Sequence, residues 1–130
     1  MRVIHKKINF EDARGWIRDI FTGDPWEHCT IIFSKKGAIR GNHYHKKTTQ
    51  LTYIISGQML VLSQKIGGRK IKKHVLKEGD FMVHKPMEMH AMIAKKATMF
   101  LAFARGLRGG KNYEKDTYRI KPGLEERLRV

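Results

Sequence analysis

Imidazole titrates at about pH 6.5, so histidine can give or take a proton near neutrality, and it is also a common metal ligand. The chain carries seven histidines, and their spacing sorts them. His43 and His45 lie two residues apart in Gly37-Ala-Ile-Arg40-Gly41-Asn42-His43-Tyr44-His45-Lys46-Lys47. Side chains alternate along an extended strand, so both rings face one side. Gln50 opens the next apolar segment and brings an amide oxygen and an amide donor. His90 follows the turn begun by Pro86 and enters another strand-like run. If the shared face lines a cavity, His43, His45 and His90 converge there with Gln50. Such a group suits either acid/base proton transfer or coordination of a dication. His5, His28, His74 and His84 lack this framing and read as structural residues, with His84, six positions before His90, nearest to the pattern.

Strands must position these rings. Segments rich in β-branched and aromatic residues recur at 3–9, 16–21, 29–34, 38–45, 50–56, 59–64, 70–75, 81–84, 90–94 and 99–103. Turn residues separate them, among them Gly37, Gly57, Gly67-Gly68, Gly79-Asp80 and Pro86. Gly67-Gly68 predicts a tight hairpin, because glycine reaches positive φ cheaply. No stretch before residue 105 keeps a helical apolar period over three turns. Short strands at this spacing predict an all-β sandwich or barrel. Glycine and proline break the tail, and residues 123–130 read as a short helix or an arm. The methionines at 82, 87, 89, 92 and 99 read as core or barrel lining, and Cys29 as a small buried apolar residue.

Length and composition set the bounds. With 130 residues, 41% of them hydrophobic, the chain makes one folded domain over 1–130 with its core about 28–105. The longest apolar run, residues 99–104, falls far short of the roughly 20 residues of a membrane span. The charged N-terminus does not resemble a secretory signal, and the expected location is the cytoplasm. A single cysteine allows neither an internal disulfide nor a cysteine metal cluster. The net charge is +15, and residues 28–77 contain no Asp or Glu beside eleven Lys or Arg. That field attracts anions, and an anionic small molecule is the expected partner. Nucleic acid is disfavoured, since neither a groove-reading helix nor a basic-aromatic platform is legible.

Gly37, His43, His45, position 50 and Gly57 match the spacing of the first cupin motif: Gly, five residues, His-x-His, four residues, Glu, six residues, Gly. Pro86 to His90 resembles the second motif's Pro-Gly-x-x-His turn. Two positions depart: Gln50 stands for Glu, and Met87 for Gly. The resemblance, over roughly 30–105, implies a single-domain cupin (RmlC-like) antiparallel β-barrel or jelly roll, with a short C-terminal tail and an internal site. A metal held there would take His43, His45, Gln50 and His90 as ligands. Zinc, iron, manganese and nickel are the candidates. Gln50 leaves such a site without the usual negative charge.

A narrower resemblance follows from Arg40-Gly-Asn-His43-Tyr-His45-Lys46 with Gln50, which is similar to the motif of dTDP-sugar 3,4-ketoisomerases, cupins that need no metal. Asp12-Ala-Arg14-Gly15 is similar to the Asp-x-Arg-Gly opening of those enzymes and of dTDP-4-dehydrorhamnose 3,5-epimerases. The Gly-Asn-His-Tyr-His run also resembles zinc-binding cupin domains of capsular-polysaccharide enzymes. By this resemblance the chain is an isomerase or epimerase of a nucleotide-diphosphate 4-keto-6-deoxy sugar. His43 and His45 are then the acid/base pair, in either order, working through an enediolate. Arg14 and Arg40 would grip the diphosphate, since a guanidinium binds phosphate oxygens in a fork. Tyr44 and Gln50 complete the expected substrate contacts, although strand alternation turns Tyr44 away from the two rings. A homodimer is expected. The alternatives are a metal-dependent cupin, of dioxygenase or zinc sugar-enzyme type, and a non-catalytic sugar-binding cupin.

Overall fold

The computed structural model describes residues 2–21, 23, 26–105 and 115–129. Among the described residues, twelve strands and one short helix follow in order: β1 (Arg2–His5), β2 (Phe10–Asp12), β3 (Gly15–Ile17), β4 (His28–Ser34), β5 (Ile39–Tyr44), β6 (Thr49–Ser56), β7 (Gln58–Lys65), β8 (Lys72–Lys77), β9 (Asp80–His84), β10 (Glu88–Ala94), β11 (Thr98–Arg105), β12 (Tyr118–Arg119) and α1 (Leu124–Arg127). Two five-stranded sheets, ordered β1-β9-β6-β11-β4 and β12-β5-β10-β7-β8, face each other, and β2-β3 forms a separate hairpin. Every strand pairing is antiparallel. The expected all-β jelly roll of the cupin type is therefore the observed fold.

Period-two alternation explains why the interior has a polar end and an apolar end. Along β6 the inward residues are Gln50, Thr52 and Ile54; along β9 they are His84 and Met82; along β10 they are His90, Met92 and Ala94. The apolar members join Met59, Val61, Leu76 and Phe100 in the core between the sheets. The polar members gather at the other end. Outward residues of the first sheet, Leu51, Tyr53, Phe81 and Phe103, are covered by Ile20, Phe21 and Trp26. Phe21 meets Phe103 edge-on at 4.9 Å. Outward residues of the second sheet, Leu62, Met89 and Ala91, are covered by Leu124 of α1.

Several expectations change in detail. The segment 3–9 pairs only as far as His5, and 16–21 contributes β3 to a hairpin before running over the first sheet. The Gly67-Gly68 turn joins β7 to β8 as expected, with Gly67 at φ +76°. Strand β12 was not foreseen. Cys29 is exposed rather than buried, because it lies on β4, the edge strand of its sheet. Met82, Met89 and Met92 are buried and Met99 is half-buried, but Met87 is exposed. Met87 sits at φ +66°, the left-handed conformation that explains glycine at the corresponding place of the cupin turn.

A bulge positions the histidine strand. The β5–β10 register pairs His43 with His90 and then Gly41 with Ala91, leaving Asn42 as the extra residue. Gly41 and Asn42 both have positive φ, and a Cβ on Gly41 would lie 2.8 Å from the His90 carbonyl oxygen. Asn42 in turn ties down the tail. Its Oδ1 accepts the Leu124 N–H at 2.9 Å, and its Nδ2 donates to the Glu125 carboxylate.

Candidate active site

The structure brings His43, His45 and His90 together as the spacing predicts. One nitrogen from each lies within 4.8 Å of the others. The ring centroids are 4.8 Å apart for His43 and His45, 4.7 Å for His43 and His90, and 5.7 Å for His45 and His90. His45 and His90 are each only 1% exposed, while His43 is half-buried and stands on a cavity wall. That cavity, of about 280 Å³, is lined by Arg40, His43, Gln50, His90 and Arg119 on its polar side. Its apolar side is Ile32, Ile39, Met92 and Phe100.

Hydrogen bonding fixes the protonation geometry of His45. Its Nδ1 lies 2.8 Å from the Asp116 main-chain oxygen. A carbonyl only accepts, so Nδ1 carries the hydrogen and Nε2 keeps its lone pair when the ring is neutral. Asp116 itself is anchored by four donors. Its carboxylate accepts the main-chain N–H groups of Lys46 (3.0 Å), Lys47 (2.9 Å) and Thr48 (2.7 Å) and the Thr48 hydroxyl (2.8 Å). Burial raises this carboxyl, but the bonds from Lys47, Thr48 and Lys46 outweigh it and hold Asp116 below the ordinary carboxylate value. The tail thereby clamps the loop that follows the His-x-His strand.

A fourth imidazole joins the cluster. His84, read from the sequence as structural, sits 4.5 Å from His90, ring to ring, and is 1% exposed. Its Nε2 bonds the Thr52 hydroxyl at 3.0 Å. Burial, then the neighbouring His90, His45 and His43, push it well below the usual histidine range, so it is neutral at pH 7. No local pattern joined the two, because His84 lies on β9 of one sheet and His90 on β10 of the other. Asp116 and Arg119 were also missed. Arg119 pairs opposite His43 through β12, two residues too short to be seen as a strand.

The remaining expected site residues divide. Gln50 lies on the cavity wall, 4% exposed, and its Oε1 has no hydrogen-bond partner among the described residues. Arg40 lines the cavity too, but it is also tied to Ser34 Oγ (2.7 Å) and the Phe33 carbonyl (2.9 Å). Tyr44 is not brought into the cavity: it points to the outer face of its sheet and stacks on Tyr118 at 5.3 Å, because alternation between two inward histidines sends it out. Arg14 is likewise not brought to the cavity within one chain. It lies on the exposed β2–β3 hairpin, bonded to Asp12 at 2.7 Å, and does not line the histidine cavity.

As a metal site the donor set has the right chemistry and a loose geometry. Three imidazoles without a carboxylate suit zinc, iron or nickel better than manganese. Tetrahedral zinc at about 2.0–2.1 Å would draw its nitrogens to about 3.4 Å apart, against the 4.8 Å spread here.

Solved structures share this architecture. The dTDP-4-dehydrorhamnose 3,5-epimerase from Sulfolobus tokodaii superimposes with a TM-score of 0.77 at 20% identity, over 92% of this chain and 76% of that one. The sugar 3,4-ketoisomerase from Thermoanaerobacterium thermosaccharolyticum, solved with TDP, gives 0.76 at 19% identity, over 92% and 88%. The capsular polysaccharide assembling protein CapF from Staphylococcus aureus gives 0.66 at 15% identity, over 88% of this chain and 32% of that one. No curated protein sequence matches. The family model named Polysaccharide biosynthesis C-terminal domain matches residues 10–103, and with an RmlC-like cupin fold built around the histidine cluster the chain belongs to that family.

Proposed function

We propose that the protein is an isomerase or epimerase of a nucleotide-diphosphate 4-keto-6-deoxy sugar, working by proton transfer between histidines and the sugar. The observation that carries this reading is His45, buried and fixed in one tautomer, with its ring 4.8 Å from that of His43, which stands on the wall of a cavity also lined by Arg40 and Arg119. A carbon beside a ketone is acidic. A neutral imidazole removes its proton and an enediolate forms. Return of a proton to the neighbouring carbon moves the ketone, and return to the opposite face of the same carbon inverts it. His45 supplies the lone pair and His43 the partner acid. Gln50 turns its amide oxygen to a sugar hydroxyl. Arg40 and Arg119 offset the negative charge of the diphosphate and of the enediolate. Ile32, Ile39, Met92 and Phe100 give a deoxygenated carbon an apolar wall.

The reading includes a homodimer, supported by exposed Ile31 and Phe33 on edge strand β4. Arg14 would reach a diphosphate only if a second copy laid its hairpin over the cavity. A metal-dependent reading is favoured by the convergence of His43, His45 and His90, where a dication would polarise the carbonyl.

The test is incubation with dTDP-4-keto-6-deoxyglucose in D2O, followed by NMR. Deuterium entering beside the carbonyl, and lost by a factor of about 100 or more in folded His43→Asn and His45→Asn, is the expected result. No exchange by the folded native chain would overturn the proposal. Metal content measured alongside decides the second reading: about one metal per chain, lost in His90→Ala, would establish it.

A further inference from the structure

Arg40 reaches the histidine cavity because of the bulge in β5. Strand parity alone puts residue 40 on the face opposite to His43 and His45. The extra residue Asn42 shifts the register, so that Arg40 pairs with Met92 and His43 with His90, both inward residues of β10. All four line the cavity. An arginine has many rotamers, and freezing them on binding costs a ligand affinity unless the protein has already done so. Here a residue of the opposite sheet holds the guanidinium in place.

That residue is Ser34, at the end of β4. Alternation gives it the same face as Ile32, itself a cavity residue, and it is 1% exposed. A buried hydroxyl needs a partner. Ser34 Oγ accepts from Arg40 Nε at 2.7 Å, and the Phe33 carbonyl accepts from Arg40 Nη2 at 2.9 Å. An edge strand such as β4 presents carbonyls to a donor of this kind. The two bonds occupy the Nε–Nη2 edge of the guanidinium and leave its Nη1–Nη2 edge for a ligand. Both acceptors are uncharged. Arg14, by contrast, spends its charge on the Asp12 carboxylate at 2.7 Å. Among the described residues no carboxylate lies within ion-pair distance of Arg40, so its charge is uncompensated beside the cavity. Fixed orientation and intact charge are together what a phosphate contact requires. We infer that Ser34 is a positioning residue: it aims Arg40 at a phosphate of the bound nucleotide diphosphate and keeps it aimed when the cavity is empty. The inference deepens the function proposed above and rests on it for the class of ligand.

The experiment is calorimetric titration of the whole chain at low salt with dTDP, and with inorganic pyrophosphate as a ligand that lacks base and sugar. Ser34→Ala, Arg40→Gln and the double variant form a cycle that isolates what Ser34 does through Arg40. Ser34→Ala is expected to weaken both ligands by about fivefold or more in the native background, and by less than about 1.5-fold in the Arg40→Gln background. Ser34→Cys fills the same space with a weak acceptor and is expected to match the alanine variant, which keeps the test decisive if alanine loosens β4. Lys72→Ala removes one charge on β8, outside the cavity lining, and is expected to change both affinities by less than about twofold. Equal losses from Ser34→Ala in the two backgrounds would make Ser34 a structural residue and overturn the inference. A loss below about twofold in the native background would do the same, as would a Lys72→Ala loss equal to that of Arg40→Gln. Absence of binding of both ligands by the native chain would also overturn it. This inference and the proposed reaction fail separately. Coupled dTDP binding without deuterium exchange on the keto sugar removes the reaction alone, and exchange without the Ser34–Arg40 coupling removes the positioning role alone.

Discussion

Replacing Asp116 by alanine tests how the tail holds the histidine cluster. The change removes an acceptor for four donors: the N–H groups of Lys46, Lys47 and Thr48 and the Thr48 hydroxyl. Lys46 and Lys47 are exposed, so water replaces the carboxylate there. Thr48 is fully buried, and its two donors are left unsatisfied. An orphaned buried donor costs about 1–3 kcal/mol, so the expected loss is about 2–6 kcal/mol. For a chain of this length that lowers Tm by on the order of 10 °C. Asp116→Asn keeps one acceptor oxygen but turns an amide donor toward main-chain N–H groups, and its loss falls between zero and the alanine value. Urea unfolding gives the free energies. Nitrogen-15 shifts of His45 give the second readout, because the Asp116 carbonyl that holds Nδ1–H belongs to the same clamp. Native protein shows protonated Nδ1, and the alanine variant shows a mixture of tautomers. An alanine variant that loses less than about 0.5 kcal/mol and keeps the native His45 spectrum would refute the clamp.

The remaining predictions concern the cluster and its strand. His84 is held well below its unfolded value, so the unfolded chain takes up a proton that the folded chain refuses. Stability should therefore fall as pH drops below about 6.5, by about 1.4 kcal/mol per pH unit for this one proton, down to the depressed folded value. Unfolding of native and His84→Gln protein between pH 7 and pH 5 reads this as a shallower slope in the variant. Asp116 acts at lower pH: its contribution is present above its unfolded value, near 3.8, and is lost as pH falls through the lower folded one. Gly41→Ala puts a Cβ 2.8 Å from the His90 carbonyl at a φ of +88°, and a loss of about 2–4 kcal/mol is expected in thermal melts. A stable Gly41→Ala protein with unchanged His90 resonances would contradict the close approach. Tyr44→Phe keeps the ring that stacks on Tyr118 outside the barrel, so proton exchange on the keto sugar should be unchanged. A tenfold loss would return Tyr44 to the substrate.

Much of this protein was legible in the residues alone, because strand alternation is a local rule. The His43-x-His45 spacing, the turn at Pro86 before His90, and the glycines at 37 and 57 placed three rings and Gln50 in one interior without reference to any contact. The same rule turned Tyr44 outward, as observed. What alternation cannot state is which strand faces which. His84 looked isolated because its partner His90 arrives from the other sheet, and only sheet packing sets the two rings 4.5 Å apart. Arg14 looked like a phosphate ligand because its motif is local, but its hairpin projects from the barrel in the single chain. Asp116 and Arg119 carry no local pattern at all. They act at His45 and at the cavity because the tail docks on β5 and the loop after it, through the four donors on Asp116, the β12–β5 pairing and the bulged Asn42 that holds Leu124 and Glu125. A bulge is a two-strand event, and a tail's docking is decided by donors and acceptors that no single segment contains. The sequence determined the strands and the chemistry they display; the tertiary structure decided which groups share a proton, because that depends on distances between segments rather than on order within them.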